Sequence, residues 1–274
     1  MSNCIGRTGI VLLWTTILCI ACLTDLSRAL ANETAPGPLD GKTFVILGDS
    51  STTPNMWPAM LIAEYLPDSA QVVNTAAGGA TWSRRRTIPS IQDQWTNAKK
   101  QLQPGTSPDI VIITVGGNNF PDTKLSYDDV ITMCESSNLD PTKGEMETAI
   151  TALRAIIADC PAVDLYLVAN FYAGAWPDKD RRRRHYRTQL SALCDFFSCN
   201  LIDLTRNSNI RGYIEKNAAT RSFTNDGVHL STDLGRQRVA RLIFAAVVAN
   251  YPAKKRIESV PKLPPTSKPG KTEK

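Results

Sequence analysis

Five short apolar runs alternate with segments of helical periodicity, and this alternation is the strongest constraint on the fold of the chain. The apolar runs, which have the composition of buried strands, lie at 43–48, 71–75, 109–115, 164–170 and 200–204. Helical patterns lie at 56–66, 91–102, 143–160, 180–197 and 232–251. Repeated strand–helix units form a parallel sheet with helices on both faces. The sequence therefore predicts an α/β fold over residues 41–251: a three-layer α/β/α sandwich with a five-stranded parallel sheet in the flavodoxin-like order 2-1-3-4-5.

The segment before the predicted domain has the features of an export signal. Arg7 precedes an apolar stretch at 9–23, and Ala29-Leu30-Ala31 then supplies small residues for cleavage, so residues 1–31 are predicted to be a signal peptide. The apolar stretch is shorter than the roughly 20 residues of a membrane span, and no transmembrane segment is expected after its removal. We therefore expect a secreted or periplasmic protein, with lipoprotein anchoring at Cys22 as the less favoured alternative.

A Pro/Gly linker at 32–40 and a basic tail at 252–274 flank the predicted domain. The tail from 253 onward contains seven Lys or Arg and two Glu, so it alone accounts for the net charge of +5. The rest of the chain is balanced and offers no electrostatic footprint for nucleic acid. We expect a monomer whose Pro/Lys-rich tail is disordered and makes at most weak contact with anionic envelope polymers.

Four cysteines lie outside the predicted leader, at Cys134, Cys160, Cys194 and Cys199. An even number of cysteines in an exported chain suggests two disulfides, for which three connectivities exist. The pairs Cys134–Cys160 and Cys194–Cys199 are favoured because they close the shorter loops. Four buried free thiols are the alternative.

Polar or Gly-rich turns follow the first three predicted strands, at 48–50, 74–79 and 116–119. In the predicted order, strands 2, 1 and 3 are neighbours, so their carboxyl ends lie side by side at about 4.8 Å per strand. Open α/β sheets bind their ligands at this edge. Ser50, directly after the first strand, is therefore a candidate nucleophile. Asp49 beside it is assigned to turn hydrogen bonds.

A serine nucleophile needs a base, and the chain has two histidines. His185 follows a run of four arginines, a poor environment for a group that must accept a proton. His229 follows Asp226 by three residues, a spacing that lets the carboxylate orient the ring. Asp226 and His229 as simple loop caps are the alternative to this catalytic interpretation.

Acyl transfer also needs hydrogen-bond donors at the developing oxyanion. The N–H groups of Ser50 and Gly79 and the side-chain amide of Asn118 are the candidates, one from each turn. Turn stabilisation is the alternative explanation for Gly79 and Asn118.

Four sequence blocks in order resemble those of the SGNH/GDSL hydrolase superfamily. They are Gly48-Asp49-Ser50, Gly79 with Ala80-Thr81, Gly116-Gly117-Asn118 and Asp226-Gly227-Val228-His229. The resemblance implies that Ser50 is the nucleophile, His229 the base and Asp226 its orienting carboxylate, with Ser50, Gly79 and Asn118 forming the oxyanion hole. Two positions depart from the family pattern: Asn119 stands where Asp is common, and Ser51 where Leu is frequent.

Residues on the loops after strands 2, 3 and 4 are candidates for substrate binding, since such loops shape the pocket. They are Trp82, Asn119, Phe120, Tyr172 and Trp176. The aromatic members suit a sugar ring or an acyl slot, and core packing is the alternative for each. The triplet at 84–86, all arginine, would favour an acidic substrate if it faced the site, although a solvated charge run is the default interpretation.

No set of metal ligands and no nucleotide-binding fingerprint is evident, so neither a metal nor a cofactor is expected. The sequence predicts an exported serine hydrolase that cleaves carboxylic esters through an acyl-enzyme on Ser50. Short acyl groups, O-acetyl groups on carbohydrate among them, are the expected substrates. Two alternatives stay open: an envelope or glycan-binding protein of this fold that has lost catalysis, and a lipid hydrolase of the lysophospholipase or thioesterase type.

Overall fold

The computed structural model describes residues 37–115, 118, 124–171, 177–217, 222–224 and 226–250. The predicted signal peptide, most of the linker and the predicted tail lie outside the described residues. The same is true of four candidate substrate-binding residues, Asn119, Phe120, Tyr172 and Trp176. Within the described ranges, no helix combines the length and the apolar character that crossing a membrane requires.

A five-stranded parallel sheet with the order 2-1-3-4-5 forms the centre of the protein, as predicted. Its strands are β1 (Thr43–Gly48), β2 (Gln71–Asn74), β3 (Ile110–Thr114), β4 (Asp164–Ala169) and β5 (Asn200–Asp203). In this register Ile46 of β1 pairs with Asn74, and Gly48 pairs with Thr114. The carboxyl ends of β2, β1 and β3 therefore lie next to one another.

Eight helices connect or follow these strands among the described residues. They are α1 (Trp57–Glu64), α2 (Ile91–Gln101), α3 (Tyr127–Glu135), α4 (Glu145–Asp159), α5 (Pro177–Phe197), α6 (Leu204–Asn207), α7 (Gly212–Asn217) and α8 (Asp233–Asn250). The five predicted helical segments correspond to α1, α2, α4, α5 and α8. The sequence interpretation missed α3, α6 and α7, which are nine, four and six residues long.

The two faces of the sheet are covered by different helices, which gives the predicted three layers. One face of β1 contributes Val45 and Leu47 to a core with α2, α3, α4 and α5. The other face contributes Phe44 and Ile46 to a core with α1 and α8. Successive side chains of a strand point to opposite faces, and both faces here are buried, so the strand reads as an unbroken apolar run. The fold class is confirmed.

The disulfide prediction is wrong in this structure, because all four cysteines are free thiols. Cys134 is buried on α3, and Cys160, which follows α4, is hydrogen-bonded to Ser107. The thiols of Cys194 and Cys199 are hydrogen-bonded to each other without an S–S bond. Loop length was a poor guide because it does not determine where a thiol points, and Cys134, Cys160 and Cys194 are core side chains.

Candidate active site

The turn after β1 presents Ser50 at the carboxyl edge of the sheet. Asp49 donates its N–H to the carbonyl of Thr114 on β3, at 3.1 Å. Its buried carboxylate accepts the N–H of Ser51 at 3.0 Å and the hydroxyl of Ser51 at 2.7 Å. Asp49 thus binds within the turn, and the half-buried Ser50 is the residue of this turn that faces the site.

The side-chain amide of Gln94, on α2, holds the peptide just before this turn. Its Oε1 accepts the N–H of Gly48 at 2.8 Å, and its Nε2 donates to the Gly48 carbonyl at 3.0 Å. Gly48 itself leaves no room for a side chain, since a Cβ there would lie 2.5 Å from the Thr114 carbonyl oxygen. The sequence analysis missed Gln94. Its one signal was a polar residue on the buried face of an amphipathic helix.

Asp226 and His229 lie in a tight turn between α7 and α8. One carboxylate oxygen of Asp226 accepts the N–H of Val228 at 2.8 Å and that of His229 at 2.7 Å. The other oxygen is 2.7 Å from Nδ1 of His229, and Nε2 of the same ring is 3.2 Å from Oγ of Ser50. A continuous hydrogen-bonded chain therefore joins Asp226, His229 and Ser50, which are up to 179 positions apart in sequence.

The charge state of Asp226 fixes the direction of these bonds. Partial burial by itself would raise the pKa of this carboxyl, but the hydrogen bonds from the ring and backbone of His229 and from the backbone of Val228 hold it below its ordinary value. Asp226 is therefore an acceptor, and Nδ1 of His229 must carry the proton between them. In the neutral ring, Nε2 is then unprotonated and faces the Ser50 hydroxyl as an acceptor.

Gly79 and Asn118 follow β2 and β3, the two strands that pair with β1 in the sheet. Gly79 has φ +81°, a conformation in which a side chain is strained, and a Cβ there would lie 2.9 Å from Ile88. Asn118 is exposed, and its Nδ2 donates to the carbonyl of Ala80 at 3.2 Å. This bond links the two turns. Among the described residues, the N–H groups of Ser50 and Gly79 donate to no protein acceptor.

The second hydroxyl of the turn, that of Ser51, is engaged elsewhere. It is buried, donates to Asp49 and accepts from the side-chain amide of Asn170 at 3.3 Å. Asn170 follows β4, so Ser51 joins the Ser50 turn after β1 to the end of a strand two positions away in the sheet. The hydroxyl in contact with an imidazole is that of Ser50.

Trp82 is a core residue, which corrects its assignment to the substrate pocket. Its side chain is 1% exposed, and its Nε1 donates to the Tyr186 hydroxyl at 2.7 Å. Only a few residues after the Gly-rich turn, the chain has already entered the core beside α5. Sequence position alone could not distinguish the two environments.

The described part of the chain has His185 on its surface and shows no cluster of metal ligands. His185 is exposed on α5, in the arginine-rich stretch, and the ring that contacts Ser50 belongs to His229. No three His, Cys, Asp or Glu side chains of that part are grouped so as to hold a metal ion.

Solved structures share this architecture at low sequence identity. A structural-genomics protein from Lactobacillus plantarum aligns with a TM-score of 0.56 and 16% identity, over 77% of this chain and 98% of that one. The carbohydrate acetylesterase of Sinorhizobium meliloti gives 0.52 and 16%, and the aryl esterase of M. smegmatis 0.52 and 15%, each over 76% of this chain and 99% of the other. No curated protein sequence matches the chain significantly.

The family model of the GDSL-like lipase/acylhydrolase family matches residues 40–234. This range contains all five strands and the hydrogen-bonded chain from Asp226 to Ser50. The resemblance drawn from the four sequence blocks is thereby confirmed. The chain belongs to the GDSL-like lipase/acylhydrolase family, within the SGNH/GDSL hydrolase superfamily, and is an ester-hydrolysing enzyme.

Proposed function

We propose that the protein is an exported serine esterase that removes short acyl groups, O-acetyl groups on carbohydrate among them, through an acyl-enzyme on Ser50. The observation that carries the proposal is the hydrogen-bonded chain from Asp226 through His229 to Ser50, with 2.7 Å and 3.2 Å between the successive polar atoms. This is the arrangement in which a serine hydroxyl becomes a nucleophile.

In the first half of the reaction, Ser50 attacks the carbonyl carbon of the ester. Oγ forms a bond to that carbon while its proton passes to Nε2 of His229, and the carbonyl electron pair moves onto oxygen. When the tetrahedral species collapses, the C–O bond to the alcohol breaks and His229 returns the proton to the leaving oxygen. Asp226 stays ionised and stabilises the imidazolium, in keeping with its lowered pKa.

The N–H groups of Ser50 and Gly79 and the amide of Asn118 are the proposed donors to the oxyanion. The bond from Asn118 to Ala80 uses one of its two amide hydrogens and leaves the other for the substrate. In the second half, water attacks the carbonyl carbon of the acyl-enzyme while His229 accepts a proton from the water. The bond from that carbon to Oγ of Ser50 then breaks, His229 returns the proton to Oγ, and the carboxylic acid is released. No cofactor enters either half.

The preference for short acyl groups on large alcohols has two supports. One is the structural similarity to the carbohydrate acetylesterase of Sinorhizobium meliloti. The other is exposure: the side chains of His229 and Asp226 are 42% and 50% exposed. A site this open admits an acyl group carried by a bulky polymer. Export rests on the leader pattern at 1–31, and we expect secreted protein to begin at Asn32 by N-terminal mass analysis.

The nucleophile is tested with Ser50→Ala and the matched control Ser51→Ala on p-nitrophenyl acetate. We expect Ser50→Ala to lose at least about 10³-fold in kcat, while Ser51→Ala keeps most of the activity because its hydroxyl only ties turns together. Mass spectrometry of acid-quenched wild type should find an acetyl group on the peptide containing Ser50. Equal turnover by wild type and Ser50→Ala would refute the mechanism.

The substrate class is tested on p-nitrophenyl acetate, butyrate and octanoate, an acetylated oligosaccharide and a lysophospholipid. We expect kcat/KM to fall from acetate to octanoate and acetate to be released from the oligosaccharide. A preference for octanoate together with lysophospholipid cleavage would favour the lipid hydrolase instead.

A further inference from the structure

We propose that Glu215 is a positioning residue for the catalytic base: its carboxylate anchors the loop that carries Asp226 and His229. The inference rests on the proposed function of these two residues. Glu215 does not reach the reacting atoms. It acts through the backbone of residues 222–224.

Glu215 lies on the short helix α7, and the residue is only 8% exposed. One of its oxygens, Oε2, accepts three successive backbone N–H groups: Ser222 at 2.9 Å, Phe223 at 2.9 Å and Thr224 at 3.3 Å. Hydrogen bonds to a charged acceptor are roughly twice as strong as neutral ones, and burial strengthens them further. The carboxylate therefore holds a whole turn of backbone in one place.

The anchored backbone leads directly to the base. Thr224 is fully buried, and its hydroxyl accepts the N–H of Gly227 at 3.0 Å. Gly227, with φ +79°, is the residue between Asp226 and Val228. A chain of hydrogen bonds thus runs from the Glu215 carboxylate through Thr224 to the turn that presents His229.

The other side of the anchored segment rests on α8. The hydroxyl of Thr232 donates to the carbonyl of Ser222 at 2.8 Å. The carbonyl oxygen of Phe223 packs so closely on Gly235 that a Cβ there would lie 2.1 Å from it. Residues 222–224 are therefore held between α7 and the start of α8. Glu215 contributes the charged hydrogen-bond acceptor to these contacts.

An anchor of this kind matters because packing covers only part of the base. Among the described residues, neighbours leave the Asp226 and His229 side chains 50% and 42% exposed. Their place depends on the backbone beneath them. A misplacement of about 1 Å in a catalytic group can cost about 10²-fold in rate.

The test compares Glu215→Leu, which removes the acceptor at similar size, with Glu215→Gln, which keeps an oxygen but no charge. With p-nitrophenyl acetate we expect kcat to fall about 30- to 100-fold in Glu215→Leu and about 3- to 10-fold in Glu215→Gln, with KM within about 3-fold of wild type. Loss through general unfolding would instead lower the fraction of active enzyme, which titration with a fluorophosphonate measures. Unchanged kcat in both variants overturns the proposal.

A double-mutant cycle separates positioning from general damage. In a His229→Ala background there is no base to position, so Glu215→Leu should change the residual rate less than about 2-fold. A further 30-fold loss there would show that Glu215 supports the whole site, and the proposal would be wrong. If Glu215→Leu does not fold, Glu215→Gln is carried through the same cycle, and full kcat in that variant refutes the proposal.

Asp109→Ala is the matched control. The Asp109 carboxylate also accepts a backbone N–H, that of Thr43 at 2.9 Å, and binds Lys42, but it lies at the amino edge of the sheet. We expect it to lower the unfolding temperature and leave kcat unchanged. Activity in Ser50→Ala would refute the proposed function itself, whereas an inactive Ser50→Ala with silent Glu215 variants would refute only the positioning.

Discussion

At Asp226, the two oxygens of one carboxylate have separate tasks. Oδ1 closes the local turn by accepting the N–H groups of Val228 and His229, and Oδ2 accepts the hydrogen bond from Nδ1–H of the His229 ring. The same carboxylate therefore both shapes the backbone and selects the tautomer. Selecting the tautomer requires the ionised form, and the lowered pKa keeps Asp226 ionised.

Replacing Asp226 with Asn should separate these tasks. The amide oxygen can still accept a backbone N–H, but an Nδ2–H facing the ring favours the tautomer whose Nε2 carries the proton and cannot accept one from Ser50. We expect kcat to fall by about 10⁴-fold with the fold intact, as measured by stopped assays and circular dichroism. Near-normal turnover would show that another group orients His229.

The same variant has a pH signature in stability. Because the folded pKa of Asp226 lies below its unfolded value, its ionisation stabilises the fold above the ordinary pKa of Asp, and this contribution disappears as the pH falls through the lowered folded value. The difference in unfolding temperature between wild type and Asp226→Asn should therefore be full at pH 6 and shrink toward pH 3. A difference that grows on acidification would contradict this assignment.

At the scale of elements, the backbone of α8 is in direct contact with the backbone of residues 222–224. Gly235 lies in the first turn of α8, where Ala would normally stabilise a helix by about 1 kcal/mol. Here the added Cβ would meet the Phe223 carbonyl at 2.1 Å. Close packing of backbone on backbone, rather than helix propensity, explains this glycine.

Gly235→Ala should therefore change stability in the direction opposite to helix propensity. We expect the free energy of unfolding to fall by about 1–3 kcal/mol, as for other overpacked sites, and kcat to fall with it because residues 222–224 must shift. Urea unfolding and the p-nitrophenyl acetate assay measure both. A variant more stable than wild type would show that the loop moves freely away from α8.

The elements that the sequence predicted well are those whose signal is local. The three central strands, β1, β3 and β4, are apolar runs buried on both faces, while the edge strands β2 and β5 are shorter and only partly buried. The order 2-1-3-4-5 followed from these runs and from connection rules. Helix α3 was missed although it begins with a capping box, in which Ser126 and Asp129 satisfy each other's backbone N–H groups. That signal is only four residues long, and the segment that follows it mixes polar and apolar residues.

The parts of the site that could not be predicted depend on contacts distant in sequence. Ser50, Asp226 and His229 were identifiable because their residue types are chemically demanding and histidine is scarce. Gln94 acts on Gly48, 46 positions away, through an amide that any polar helix residue could carry. Glu215 is ordinary in sequence, and only its place under residues 222–224 makes it distinctive. Trp82 is the opposite case, a prominent residue that proved to be core.

At the scale of the whole molecule, three of the four free thiols lie in the same hydrophobic core. Cys134, Cys160 and Cys194 all lie in the core that α2, α3, α4 and α5 build on one face of the sheet. Burial raises the pKa of the Cys134 thiol to about 11, and burial also raises that of Cys160. The hydrogen bond with Cys199, followed by burial, raises the pKa of Cys194. These side chains behave as small apolar residues, not as nucleophiles.

Alkylation of Cys134 therefore reports on the integrity of this core. The thiolate is the reactive form, and a pKa raised from 9.0 to about 11 lowers its population at pH 8 by about 100-fold, in addition to the shielding of a residue only 1% exposed. With iodoacetamide and peptide mapping by mass spectrometry, we expect no labelling of Cys134 in the folded protein during the time that labels it fully in 6 M guanidinium without reductant.

Labelling of the folded protein should accelerate between pH 8 and pH 10, because the thiolate population rises about tenfold per pH unit there. Equal labelling in the folded and unfolded protein would mean that this core is open, and no labelling of the unfolded, unreduced protein would mean that Cys134 is in a disulfide after all.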